Sequence, residues 1–143
     1  MDDPSTSVLV VEKIPLNDNS VDGYIAKATI NRPNKLNALN AEVMDSLKEF
    51  CAWVESNKSV RCVIIAGAKP LPAEEGKRPK PNAFVAGADI SEFVGMDSAA
   101  TKIKFADNAV EALWGLTKPT IAMVDGFALG GGCEVACSCD IRI

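Results

Sequence analysis

The stretch Lys118 to Ile143, KPTIAMVDGFALGGGCEVACSCDIRI, constrains the fold more than any other part of the 143-residue chain. Lys118-Pro119 is a breaker pair, and Thr120 to Val124 is an apolar run with the composition of a buried strand. Asp125-Gly126 marks a turn. Gly130, Gly131 and Gly132 follow, and Cys133 to Cys137 reads as the start of a helix. Strand, glycine elbow and helix together frame an anion site. The first turn of a helix leaves N–H groups without partners at the positive end of its dipole. Glycines let a ligand atom approach those groups closely. Such a frame suits an oxyanion that develops during a reaction, and Glu134 stands just inside the helix, within reach of the same space. Taken alone, three glycines before a Glu also read as a tight packing turn with a favourable first-turn carboxylate. The rest of the chain decides between the two.

Length fits one domain, and a hydrophobic fraction of 48% supplies a real core. The net charge is −4 with no long basic run, which argues against nucleic acid as a partner. No apolar stretch approaches the length of a membrane span. The opening residues MDDPSTS are acidic and polar, unlike a secretory signal or an Arg-rich transit peptide. Histidine is absent, which removes Ser-His-Asp and Cys-His catalysis and speaks against a transition-metal site. Proton transfer then falls to Asp, Glu, Lys, Tyr, Cys or water. The five cysteines, Cys51, Cys62, Cys133, Cys137 and Cys139, are odd in number and have apolar neighbours, as free thiols in a reducing compartment would. The spacing of the last three fits no common zinc pattern, so all are expected as small core residues.

Taken in order, residues 1–7 are expected to fray. Val8 to Ile14 and Gly23 to Ile30 read as strands of a hairpin around a turn at Pro15 to Asp22. Asn31 to Asn40 is a loop, with Pro33 blocking continuation of the strand. Ala41 to Glu55 is the clearest helix, capped by Asn40, with a stripe of Val43, Leu47, Phe50, Cys51 and Val54. Cys62 to Ala66 reads as a strand covered on both faces. Residues 68–82 carry four prolines and a mixture of charges, the composition of an exposed insert. Its basic residues, with Lys69, could touch a phosphate, but a solvated insert is the plainer reading. Ala83 to Phe93 is a strand end that turns sharply at Ala86, Gly87 and Ala88, where small side chains leave peptide groups open to a ligand. A helix capped by Asp97 or Ser98 is expected to run to Trp114 on a stripe of Ile103, Ala106, Val110, Leu113 and Trp114, with Gly115 as its stop. Asp140 to Ile143 looks like the first residues of a further strand. No GxGxxG and no Walker sequence occurs, which disfavours a nucleotide-binding domain.

Three segments carry a resemblance together: NRPNKLNAL at Asn31 to Leu39, FVAGADISEF at Phe84 to Phe93, and Pro119 to Ile143 with ALGGGCE at its centre. In this order and spacing they resemble the crotonase superfamily, and within it the enoyl-CoA hydratases. The implied fold is α/β, a spiral of β-β-α turns, with residues 1–143 as its N-terminal part, ending before the C-terminal trimerisation helices. The implied chemistry is addition of water across the 2,3 double bond of a trans-2-enoyl-CoA. By motif position, the N–H groups of Ala88 and Gly131 would hold the thioester enolate, and loss of one such donor typically costs about 10²–10³ in rate. Glu134 would be the acid/base. The Ala86 carbonyl would accept from the adenine amino group, and Lys35, Leu36, Ala38, Gly87, Asp89 and Ile90 would border coenzyme A.

The resemblance implies no cofactor besides the coenzyme A of the substrate, and no metal. It implies an acyl-CoA thioester as partner and a homo-oligomer, a trimer or dimer of trimers, in the cytoplasm or another reducing compartment such as the mitochondrial matrix or peroxisome. The second catalytic Glu of the hydratases would fall beyond Ile143, and Ser91 stands where relatives often carry Lys. Alternatives therefore stay open: another reaction of the superfamily, such as enoyl-CoA isomerisation or acyl-CoA hydrolysis, or a non-catalytic acyl-CoA-binding or assembly fragment.

Overall fold

The computed structural model describes residues 3–16, 22–106 and 109–143, the side chains of 104–106 excepted. In chain order the elements are β1 (Leu9–Pro15), β2 (Tyr24–Ile30), α1 (Ala41–Ser56), β3 (Val60–Gly67), β4 (Ala83–Val85), α2 (Ser98–Ala106), α3 (Ala109–Trp114), β5 (Thr120–Met123), β6 (Phe127–Ala128), α4 (Gly131–Ser138) and β7 (Ile141–Arg142). Single 3₁₀ turns lie at Pro33–Lys35 and Ile90–Phe93. β1 and β2 form the expected antiparallel hairpin, with Leu9 opposite Ile30 and Pro15 opposite Tyr24. β3, β5 and β7 then add in parallel, giving a sheet of order β1-β2-β3-β5-β7. β4 and β6 pair in parallel as a second, two-stranded sheet.

The repeat is plain in this order. β3 in the large sheet leads to β4 in the small one and then to α2 and α3. β5 leads to β6 and then to α4. Each pass of the chain thus lays one strand on each sheet before a helix, which is the β-β-α spiral. The first pass differs, since both its strands enter the large sheet.

α1 carries the core. Asn40 Oδ1 accepts from the Val43 N–H at 3.0 Å, and the stripe Val43, Leu47, Phe50, Cys51 and Val54 is buried, with Trp53 beside it. These side chains meet Leu9, Ile30, Val63, Ile65 and Phe84 from the sheets. Lys118, read as part of a breaker pair, has a further task. Its ammonium donates to the carbonyls of Val54 and Asn57, closing the C-terminal end of α1 where acceptors are left over. Thr120 and Asp140 exchange three hydrogen bonds of 2.8–2.9 Å and fix the start of β5 beside β7.

Several expectations need correction. Residues 3–7 are held rather than frayed: the Thr6 hydroxyl meets that of Ser46 at 3.1 Å, and Asn31 Nδ2 donates to the Ser7 carbonyl. β6 is too short to leave a periodic signal. α4 starts at Gly131, two residues before the expected Cys133, because its first turn is built on glycines. Its buried stripe is Gly132, Val135 and Ala136, so Cys133 and Cys137 lie on the opposite face, exposed; Cys51 and Cys139 alone are fully buried. Burial pushes those two thiols up, to about 12 and about 11. Ile103 and Trp114 are each 73% exposed; Ile103, on α2, lies beside a cleft, and Trp114 ends α3. Residues 17–21 of the expected turn, 107–108 of the expected helix and the side chain of Ala106 lie outside the described residues. The insert 68–82 is exposed along most of its length, tied down by ion pairing of Lys69 with Asp125 and by Lys80 on the Asn34 carbonyl at 2.8 Å.

The loop after β2 is locked by a buried asparagine. Asn37 has φ +57°, is 1% exposed, donates to the carbonyls of Ala68 and Ala83 at 2.9 and 2.8 Å, and accepts from the Arg32 N–H at 3.0 Å. Asn37→Ala leaves all three groups unpaired and should lower unfolding stability by about 3 kcal/mol in urea titration. Asn37→Gly, which accepts the positive φ without strain, should lose nearly as much. Recovery of wild-type stability in the glycine variant would assign the effect to backbone strain instead.

Candidate active site

The site is built from two backbone turns laid side by side. The first follows β4. Gly87 has φ +107°, a region that L side chains rarely adopt, and an added Cβ there would approach the Leu129 carbonyl to 3.3 Å. This turn is held from the other side by Leu39: the Leu39 N–H donates to the Gly87 carbonyl at 2.8 Å, and the Asp89 N–H donates to the Leu39 carbonyl at 2.7 Å. Ala88, between those two bonds, forms the parallel bridge with Leu39. Its own N–H donates to no acceptor among the described residues.

The second turn opens α4. The Leu129 N–H donates to the Val85 carbonyl at 3.0 Å, and Gly132 packs so tightly on β4 that a Cβ would lie 2.0 Å from the same carbonyl. Only glycine allows that approach. Within the first turn of α4, the N–H groups of Gly132, Cys133 and Glu134 all donate to carbonyls of Leu129 or Gly130. The Gly131 N–H donates to none among the described residues. Ala88 and Gly131, the positions the sequence motifs pick out, are thus among the amides of these turns without an acceptor among the described residues; the neighbouring N–H groups of Gly87 and Gly130 have none there either.

Both amides border one cleft of about 680 Å³. Ala86, Gly87, Ala88, Ile90, Gly131 and Glu134 line it, so six of the residues expected at the site are brought together. Lys35, Leu36, Ala38 and Asp89 do not line it. Lys35 is exposed on the neighbouring loop, the Leu36 carbonyl accepts from the Ala86 N–H at 3.1 Å, and the Ala38 carbonyl is taken by Arg32. Sequence reasoning missed the apolar wall made by Met44, Phe93, Ile103 and Leu129. It also missed two further carboxylates of the lining, Asp45 and Glu92. Glu92 accepts from the Ala41 N–H at 3.0 and 3.1 Å and so ties the turn after Asp89 to the start of α1. A capping carboxylate fifty residues distant leaves no local pattern to read.

The electrostatic centre beside the cleft is the pair Arg32–Asp89. Arg32 Nη2 donates to Asp89 Oδ2 at 2.9 Å and Nη1 to the Ala38 carbonyl at 2.6 Å. Asp89 is 8% exposed and also accepts from the Ser91 hydroxyl at 2.6 Å and the Ser91 N–H at 3.2 Å. The Ser91 hydroxyl first, and then Arg32, hold the Asp89 carboxyl down at about 2. Among the described residues no group of three or more His, Cys, Asp or Glu is placed to hold a metal.

Comparisons with known proteins bear on the family and the fold. The sequence model of the enoyl-CoA hydratase/isomerase family matches residues 21–143. The short-chain-enoyl-CoA hydratase of Clostridium acetobutylicum is 44% identical over 124 residues, covering 85% of this chain and 43% of that protein. The crotonyl-CoA hydratase of Syntrophomonas wolfei is 37% identical over 122 residues, covering 83% of this chain and 42% of its own. Among solved structures, an enoyl-CoA hydratase/carnithine racemase from Magnetospirillum magneticum superposes with a TM-score of 0.77 at 31% identity, over 96% of this chain and 46% of that one. The α/β spiral with its backbone-lined cleft is of the crotonase class. Within that class, the chain belongs to the enoyl-CoA hydratase/isomerase family. It spans less than half the length of the relatives it matches.

The Asp89 carboxyl gives a pH test. Its folded value lies below the ordinary 3.8, so its interactions stabilise the fold above that value and are lost as pH falls through about 2. Asp89→Asn should be less stable than wild type at neutral pH, and the gap should close between pH 4 and pH 2. Urea midpoints at several pH values read this directly; a gap that stays constant would mean the carboxylate is not the source.

Proposed function

We propose that the protein carrying this chain is an enoyl-CoA hydratase, adding water across the 2,3 double bond of a trans-2-enoyl-CoA. The observation that carries this reading is one cleft lined by Ala88, Gly131 and Glu134 together, with the N–H groups of Ala88 and Gly131, from separate turns, left without an acceptor among the described residues. Addition of the water oxygen at C3 pushes the π electrons toward the thioester oxygen. The N–H groups of Ala88 and Gly131 supply fixed dipoles for that oxygen, with no reorganisation at the moment of reaction. Glu134 holds the water and moves its proton, so that oxygen ends on C3 and a proton on C2. The names of the Clostridium and Syntrophomonas relatives support hydration.

The apolar wall of Met44, Phe93, Ile103 and Leu129 suits the acyl chain. Coenzyme A would run over the loop of Lys35, Leu36 and Ala38, with its adenine at the Ala86 carbonyl and its chain against Gly87 and Ile90. Asp89 would contribute its backbone only, since its carboxylate is taken up by Arg32 and Ser91. No cofactor besides that coenzyme is required, and a homo-oligomer, trimer or dimer of trimers, in a reducing compartment is part of the same reading. No helix among the described residues is long and apolar enough to cross a membrane.

Double-bond isomerisation is the second reading. Asp45 and Glu92 stand on the same walls as Glu134, and shifting a proton between two carbons uses a carboxylate but no water. In the protein expressed from its complete reading frame, Glu134→Gln should lower crotonyl-CoA hydration by about 10²–10⁴ while acyl-CoA affinity stays within a few-fold. Full hydration by that variant would overturn the assignment. A wild-type protein that converts 3-enoyl-CoA to 2-enoyl-CoA without adding water would establish isomerisation.

A further inference from the structure

The hydrogen bonds behind Ala88 form a chain with one direction. Arg32 Nη1 donates to the Ala38 carbonyl at 2.6 Å. That carbonyl belongs to the same peptide as the Leu39 N–H, which donates to the Gly87 carbonyl at 2.8 Å. The Gly87 carbonyl in turn shares its peptide with the Ala88 N–H. In a trans peptide the C=O and N–H point in opposite directions, and the chain contains no cis bond among the described residues. Anchoring the Gly87 carbonyl on Leu39 therefore turns the Ala88 N–H away from Leu39. Two peptide dipoles stand head to tail between a guanidinium and the cleft.

We propose that Arg32 and Asp89 are positioning residues for the reaction: the guanidinium, fixed by the Asp89 carboxylate, polarises and aims the Ala88 N–H through the peptides of Leu39 and Ala88. This rests on the reading of Ala88 as an oxyanion donor. Hydrogen bonds in series strengthen one another, and a cation at the far end pulls electron density along the series. The developing negative charge on the thioester oxygen is thereby paired, through two peptides, with a half-buried positive charge. Asp89 prevents the fork from turning elsewhere. Its Oδ2 takes Nη2 at 2.9 Å while Ser91 holds Oδ1, so Nη1 is left pointing at Ala38. A lysine carries the same charge but cannot hold both acceptors in one fixed plane.

The test uses the complete protein, with crotonyl-CoA as substrate and butyryl-CoA carrying a ¹³C thioester carbonyl as an unreactive probe in difference infrared spectroscopy. Arg32→Gln should lower kcat by about 10²-fold, the size of effect that a misplacement of about 1 Å can produce, with KM changed less than threefold. The red shift of the bound carbonyl should shrink in the same variant. Arg32→Lys and Asp89→Asn should fall between wild type and Arg32→Gln on both readouts. A purely structural role would lower the melting temperature without moving the carbonyl frequency of the folded fraction. Unchanged kcat and unchanged frequency in folded Arg32→Gln would overturn the proposal. If that variant does not fold, Arg32→Lys decides on the same two readouts. A wild-type protein that shifts the carbonyl but does not hydrate, with the shift lost in the variants, would uphold the relay and refute the hydratase reading.

Discussion

The bridge between Leu39 and Ala88 is the interaction on which the site depends. It joins the loop before α1 to the turn after β4, two segments that belong to successive passes of the spiral. Its two hydrogen bonds, of 2.8 and 2.7 Å, are ordinary in length and would each contribute about 1 kcal/mol in net terms. Their importance is directional. They use the carbonyl of Gly87 and the N–H of Asp89, and the Ala88 N–H between them has no acceptor among the described residues. The surrounding side chains defend the same joint: Glu92 on the Ala41 N–H, Arg32 on the Ala38 carbonyl, and Asn37 on the carbonyls of Ala68 and Ala83. Of these side chains Asn37 is the fully buried one, and a buried amide must be satisfied.

The second half of the cradle depends on steric closeness instead. β4 is three residues long and wholly buried, so it can present its end to α4 only if nothing stands between them. Gly132 meets that condition, and the Leu129–Val85 hydrogen bond fixes the angle of approach. The start of α4 is thus set by β4, the strand that also leads into the Ala88 turn. One short strand places both amides, which makes their separation a property of the core rather than of flexible loops. That is the structural form of preorganisation.

Much of this was legible in the sequence, for reasons that differ by element. The α1 stripe and its Asn40 cap are local signals, and they survive in the structure residue for residue. The glycine elbow and the Ala86–Ala88 turn were readable because close backbone approach leaves a compositional trace of small residues. The amphipathic reading of 98–114 failed at Ile103, which lines the cleft instead of packing on the sheet, and at Trp114, which ends α3 exposed. Cys133 and Cys137 were placed in the core by composition, but the tight seat of Gly132 sets the rotation of α4 and turns them outward. Arg32, Asn37 and Glu92 were within quoted motifs or beside them, yet their work is done on carbonyls and amides distant in sequence. Backbone partners carry no residue identity, so no pattern announces them.

This division between backbone and side chain bears on how a single scaffold supports several reactions. The amides of Ala88 and Gly131 belong to the main chain, and most side-chain substitutions leave their positions untouched. The carboxylates on the cleft wall are different. Asp45 and Glu134 come from α1 and α4, and neither side chain holds the Leu39–Ala88 joint, whereas Glu92, from the turn after β4, also ties that turn to α1. Stabilisation of an enolate is common to adding water, shifting a double bond or releasing a leaving group. What separates those outcomes is where a proton is taken and where it is returned. In this chain Glu92 is engaged by the Ala41 N–H and Asp45 forms a salt bridge with Lys48 at 3.0 Å, whereas Glu134 rises from the same helical turn as the Gly131 donor. A carboxylate on the same helical turn as the proposed Gly131 donor is the one best fixed to act beside the proposed oxyanion position, and that favours Glu134 as the proton carrier in the proposed reaction.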